Sequence, residues 1–91
     1  MKVKNFYNKN QFLIEEGEKK VFQSYESTIA IVENDKIILG VDWNYSTTTS
    51  KHLYLFLEEY TNINFYGITN KRKYIEKLIK ENKIIYDENL V

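Results

Sequence analysis

Apolar and polar residues alternate through the first half of the chain, then recur every three to four residues in the second, and the change falls at Ser46. A period of two marks a half-buried strand, whereas apolar positions at i, i+3, i+4 and i+7 mark a helix lying on a core. Gln11-Phe12-Leu13-Ile14 leads into Glu15-Glu16-Gly17-Glu18-Lys19, a polar loop in which Gly17 can take positive φ, and Val21-Phe22 resumes the extended pattern. Residues 28–32 and 36–41 flank Asn34-Asp35, two residues that tolerate left-handed geometry, so they form a tight hairpin. The 24–27 connection is either a turn or a bulge in one long bent strand, and residues 2–7 are a further candidate strand.

Beyond Ser46, Leu53, Phe56, Leu57 and Tyr60 make one helical stripe. Each of residues 46–49 offers a side-chain oxygen to the free amides of a first turn; Ser46 or Thr47 is the preferred cap of a helix over 47–61. Residues 63–68 form a loop or short extended piece that flexes at Gly67. Thr69 or Asn70 caps a second helix near 69–82, with Tyr74, Ile75, Leu78 and Ile79 as its buried stripe and Asn82 as its stop. Ile84-Ile85-Tyr86 is a candidate short edge strand. Strands grouped ahead of helices specify an α+β fold: an antiparallel sheet of three to four strands from residues 10–42, with two C-terminal helices packed on one face. Residues 1–91 are read as a single domain, in which neither helix is long enough to be stable alone in water.

Composition narrows the function classes. Ninety-one residues bury roughly 60–65% of the unfolded chain's surface around one core. Thirteen basic and thirteen acidic residues cancel, which argues against a generally polycationic nucleic-acid binder. The absence of cysteine excludes disulfides, thiolate zinc sites and cysteine nucleophiles. The longest apolar runs fall far short of a membrane span, and the Met-Lys-Val-Lys start lacks the apolar run of a signal peptide. The expectation is a cytoplasmic protein without a membrane partner. Twelve lysines to one arginine, eleven isoleucines, ten asparagines and eight tyrosines share A- and T-rich codons, so part of the lysine density reflects codon usage.

Candidate chemistry is sparse. His52, the one histidine, has hydroxyls at residues 46–50 and Asp42 nearby in sequence, the makings of a small hydrolase site. The plainer reading is that the hydroxyls cap a helix and His52 edges its buried face, so no catalytic residue is assigned and the protein is expected not to be an enzyme. A lone histidine makes no metal site, the Glu15-Glu16-Gly17-Glu18 cluster lacks the spaced ligands of a calcium loop, and isolated glycines make no phosphate loop. No cofactor or metal is expected. Trp43 reads as a lid over the sheet–helix junction.

The anomaly is electrostatic. Between residues 69 and 83 stand Lys71, Arg72, Lys73, Lys77, Lys80 and Lys83 against Glu76 and Glu81 alone. Lys71, Arg72 and Lys73 crowd a first turn, where the helix dipole favours anions. On a wheel Lys73, Lys77 and Lys80 lie opposite the buried stripe, flanked by Arg72 and Lys83, with Arg72–Glu76 and Lys77–Glu81 spaced to pair. Such a face is either solvated lysine or the seat of an acidic partner, a protein groove or nucleic-acid phosphate. On the first helix Leu55 points away from the apolar stripe with Tyr54 beside it, a second candidate patch for a partner or for self-association as a homodimer.

The pattern Gln23-Ser24-Tyr25 … Ile29-Ala30, then Trp43-Asn44-Tyr45-Ser46-x-Thr48-x-x-Lys51-His52-Leu53-x-x-Phe56-Leu57, then Gly67-Ile68-x-Asn70-Lys71 … Leu78-Ile79 resembles small uncharacterised proteins carried by phages and mobile elements of low-GC Firmicutes. The resemblance spans most of the chain and implies a context, since short mobile-element proteins often act by occupying a host protein, including as inhibitors of defence nucleases. The expected function is therefore non-enzymatic: a phage or mobile-element accessory protein that inhibits or modifies a host nucleic-acid-handling or defence protein. Lys71, Arg72, Lys73, Lys77, Lys80, Tyr54 and Leu55 are its candidate contacts. Direct nucleic-acid binding through the basic helix is the alternative, and a small hydrolase around His52 the third.

Overall fold

Three tight reversals build the sheet. The computed structural model describes residues 1–90, and its first five strands are β1 (Lys2–Asn5), β2 (Gln11–Glu16), β3 (Lys19–Ser24), β4 (Ser27–Glu33) and β5 (Lys36–Leu39). Gly17 turns β2 into β3 at φ 62°, and Asn34 and Asp35 turn β4 into β5 at φ 52° and 65°, where their short polar side chains tolerate left-handed backbone. The 24–27 connection is a turn, with Tyr25 at φ 55°, and a bulge sits beside it between Phe22 and Gln23. Tyr25 is held there by its N–H donating to the Asn10 carbonyl at 2.7 Å and by Gln23 Nε2 donating to the Tyr25 carbonyl at 2.9 Å.

Two helices follow, α1 (Thr47–Tyr60) and α2 (Lys71–Lys80), and then β6 (Ile85–Tyr86). Ser46 and Asn70 are the caps, their side chains accepting from the N–H of Thr49 and Lys73. Asn82 stops α2 in the left-handed region at φ 61°. Its N–H donates to the Ile79 carbonyl at 3.1 Å and that of Lys83 to Leu78 at 2.9 Å, the paired closure that satisfies a helix's last carbonyls. Among the described residues no helix is long and apolar enough to cross a membrane.

The α+β class holds, but the sheet is larger and of mixed direction. Six strands lie in sequence order, antiparallel from β1 to β5, with β6 parallel to β5. The expected three or four antiparallel strands within residues 10–42 are thus corrected at both ends. β1 pairs along its full length with β2. β6 runs parallel because α1 and α2 carry the chain back before it joins the sheet, as a parallel neighbour requires.

One face of the sheet meets the helices. Leu13, Phe22, Ala30 and Leu39 stand in register across β2 to β5, each completely buried. Leu53, Phe56 and Leu57 of α1 and Ile75 and Leu78 of α2 join the same cluster, closed by Phe6, Trp43, Phe65 and Ile84. Phe22 stacks on Phe56 at 5.7 Å between centroids, and Phe6 meets both rings at their edges or tilted. Two polar side chains interrupt this face, Gln11 and its cross-strand partner Ser24, and Gln11 is completely buried with no protein hydrogen-bond partner for either atom of its amide. An unpaired buried amide costs its full desolvation, so Gln11→Met should stabilise the fold by roughly 1–3 kcal/mol in urea denaturation. A lower denaturation midpoint would mean that the amide is satisfied.

Candidate partner-binding surface

The hydroxyl run at the start of α1 is spent on structure. Ser46 Oγ accepts from the Thr49 N–H and donates to Thr49 Oγ1, both at 3.1 Å, and Thr49 Oγ1 meets Ser24 Oγ of β3 at 2.9 Å. Ser24 and Thr49 are buried, so this chain of hydroxyls fastens the first turn of α1 to the sheet. Thr49→Val keeps the shape but strands the Ser24 hydroxyl, and should cost about 1–3 kcal/mol. Combining it with Ser24→Ala should cost clearly less than the two separate losses added together; simple additivity in the denaturation cycle would contradict the bond.

His52 is 8% exposed, and its Nδ1 lies 2.7 Å from the Thr48 carbonyl. A carbonyl only accepts, so Nδ1 carries the proton. Asp42 does not reach toward it: Asp42 Oδ2 accepts from Ser27 Oγ at 3.0 Å. His52, Asp42 and the Ser46 and Thr49 hydroxyls are thus each engaged separately. The acidic cluster around Gly17 also resolves, because Glu15 and Glu16 stand opposite Lys20 and Lys19 across the β2–β3 hairpin. Among the described residues no group of three or more His, Asp or Glu side chains could hold a metal ion.

The cations gather instead around the connection between β5 and α1. Two grooves flank it and share Asn44. One is lined by Tyr45, Ser46, Thr47, Ser50, Lys51 and Tyr54 on the α1 side and by Lys71 and Arg72 on the α2 side. The other has Val41, Trp43 and Tyr86 on one side and Lys73, Glu76, Lys77, Ile79 and Lys80 of α2 on the other. Together they hold six cations and one carboxylate.

The five basic candidates therefore share a surface but divide between its grooves. Lys71 and Arg72 join Tyr54 in the first; Lys73, Lys77 and Lys80 border the second. Tyr54 is half-buried against Phe65, 5.1 Å between centroids, and Lys71 Nζ sits 5.6 Å from its ring centre, within reach of cation–π attraction. Burial pushes the Tyr54 hydroxyl above its usual pKa, opposed by its hydrogen bond with Ser50 and by the Arg72 charge. Leu55 is separated from this arrangement: it is exposed and lines neither groove.

The expected Arg72–Glu76 and Lys77–Glu81 pairs do not form. Among the described residues the ion pair present is Lys83–Glu81 at 3.4 Å, between exposed side chains. Glu81 is the C-cap of α2, where the backbone leaves the helix and no longer aims its side chain at Lys77. The first turn of α2 contains no acid, so its three cations face the positive end of the dipole uncompensated.

The sequence reading missed Lys51, Tyr45 and Asn44 of the first groove and Val41 and Tyr86 of the second. A signal for Lys51 was present: Thr47, Ser50, Lys51 and Tyr54 fall at i, i+3, i+4 and i+7, a polar stripe beside the apolar one.

No curated protein and no solved structure is significantly similar to this chain. A family of unknown function, DUF8033, matches residues 1–83. That span takes in β1 to β5, both helices and the lining of both grooves except Tyr86. The chain belongs to the DUF8033 family.

Proposed function

We propose that the protein is a non-enzymatic binding module that seats acidic side chains of a host protein in the two grooves around Asn44. Its role would be that of a phage or mobile-element accessory factor acting on a nucleic-acid-handling or defence protein. The observation that carries the reading is the gathering of Lys51, Lys71, Arg72, Lys73, Lys77 and Lys80 around one loop of a chain with no net charge. None of the six has an ion-pair partner among the described residues. Cations that solvated lysine bias alone had placed would be scattered over the surface. Arg72 and the tyrosines add the side chains that anchor protein interfaces. The separate engagement of His52, of Asp42 and of the Ser46 and Thr49 hydroxyls supports the non-enzymatic reading.

Nucleic acid is the second reading, favoured by Tyr45, which is 74% exposed beside Lys51 and Arg72 and offers a stacking platform for a base. Net neutrality weighs against it, because phosphate binding draws most of its affinity from excess positive charge.

Affinity purification from the host, followed by titration of the recovered protein, tests the proposal. Changing Lys71 and Arg72, or Lys73, Lys77 and Lys80, to glutamine should alter stability by less than about 0.5 kcal/mol per site. Each set should weaken binding by about tenfold or more. Unchanged affinity in both variants would leave the grooves without a role. Submicromolar binding of duplex or single strands by the isolated protein at physiological salt, falling steeply with added salt, would put nucleic acid in the partner's place.

A further inference from the structure

The sheet face turned away from the helices carries an apolar row that crosses every strand. Register sets Val3, Ile14, Val21, Ile31, Ile38 and Ile85 side by side from β1 to β6. None of the six belongs to the core or packs against it, and the end residues Val3 and Ile85 are 56% and 47% exposed. Two residues further along the strands the same face is charged, with Glu16, Lys19, Glu33 and Lys36 in order on β2 to β5.

We propose that this face is the interface of a homodimer, two sheets stacked about a two-fold axis parallel to the strands and passing between β3 and β4. A sheet with one face in water ordinarily alternates apolar inward and polar outward; here the outward positions are β-branched across the full width. The charges select a second copy as the occupant. The rotation reverses strand order, so Glu16 meets Lys36 of the partner subunit and Lys19 meets Glu33 of the partner subunit. A row ordered Glu-Lys-Lys-Glu would have set like against like. The apolar row is also compatible with itself, since the rotation lays Val21 over Ile31 of the partner subunit and Ile14 over Ile38 of the partner subunit.

Size is sufficient. Six strands at the usual spacing make the face about 24 Å wide, and β2, β3 and β4 make its centre about 20 Å tall. Two such faces bury on the order of 1,000 Å², the size of a weak, reversible interface. Stacking leaves the helix side free, so each copy would present its basic grooves outward.

Alternating charges also suit neighbouring strands within one sheet, and the test separates the two origins. Sedimentation equilibrium of the wild-type protein up to about 0.5 mM should show a dimer with a Kd of about 1–100 µM. Ile31→Lys should raise that Kd by about tenfold or more, and Ile85→Lys, at an exposed rim position, should act likewise should Ile31→Lys fail to fold. An acidic-row variant (Lys19→Glu with Lys36→Glu) and a basic-row variant (Glu16→Lys with Glu33→Lys) should each be monomeric and should form a mixed dimer when combined, which pairing within one sheet does not produce. A wild-type protein that stays monomeric, a dimer indifferent to Ile31→Lys and Ile85→Lys, or row variants that do not associate on mixing would overturn the proposal.

Discussion

Replacing Phe56 by alanine is expected to remove about 3–5 kcal/mol of stability. A domain of this length has about 5–14 kcal/mol in total, so the loss is a large fraction of the whole. Phe56 is completely buried and contacts three aromatic rings besides its aliphatic neighbours: Phe22 at 5.7 Å, Tyr60 at 5.4 Å and Phe6 at 6.2 Å between centroids. These rings come from the loop before β2, from β3 and from α1 itself, and the cavity cannot close without moving the helix against the sheet. Leu55 is the internal control. One position earlier and exposed, its change to alanine should shift the urea midpoint hardly at all, within about 0.5 kcal/mol. Comparable losses at 55 and 56 would contradict the docking of α1.

Gly40→Ala should be nearly as damaging, through space rather than backbone conformation. A Cβ at position 40 would lie 2.6 Å from the carbonyl oxygens of both Thr28 and Leu90. Neither atom belongs to a side chain that can rotate away. The Gly40 N–H is committed to the Ile29 carbonyl at 2.8 Å and that of Val41 to Leu90 at 3.2 Å, which holds the crowded segment in place. Overpacking costs about 1–3 kcal/mol and rises above that where backbone must yield; about 3 kcal/mol is expected here. The C-terminal segment can peel away, but the Thr28 carbonyl stays in β4. Removing residues 88–91 should therefore relieve only part of the Gly40→Ala defect. Full relief would mean that Thr28 is not the obstacle.

Features with local chemistry were legible in the sequence. Ser46 and Asn70 cap because their oxygens reach amides three residues on, Asn34-Asp35 turns because both residues accept positive φ, and Asn82 stops α2 for the same reason. The two helical stripes met the core as the spacing required. Ile84-Ile85-Tyr86 was legible as a candidate edge strand, but its partner and its direction, set by long-range pairing, were not. β6 is two residues long and gains its place by pairing with β5, Ile38 with Ile85, a partnership that no local periodicity encodes. The outer apolar row was hidden because residues 28–32 and 36–41 are apolar at both parities, which leaves the two faces indistinguishable until the register is known.

The candidate surface was half legible. A helical wheel finds Lys73, Lys77 and Lys80 on one face of α2 but cannot say what lies across from them. Trp43, Val41 and Tyr86 fill that place only because the β5–α1 connection and β6 pass beside α2. Lys51 acquires its neighbours Lys71 and Arg72 only when the N-terminal parts of the two helices come to line one groove. Leu55, singled out for pointing away from the stripe, points away from the grooves as well.

Amide shift mapping of the 15N-labelled protein against the recovered host protein tests most directly whether the two grooves form one partner surface. Saturable shifts at Asn44, Lys51, Tyr54 and along 71–80 are expected, with the same residues quiet when Lys71, Arg72, Lys73, Lys77 and Lys80 are changed to glutamine. Saturable shifts that spare these residues, or that persist unchanged in the glutamine variant, would contradict it.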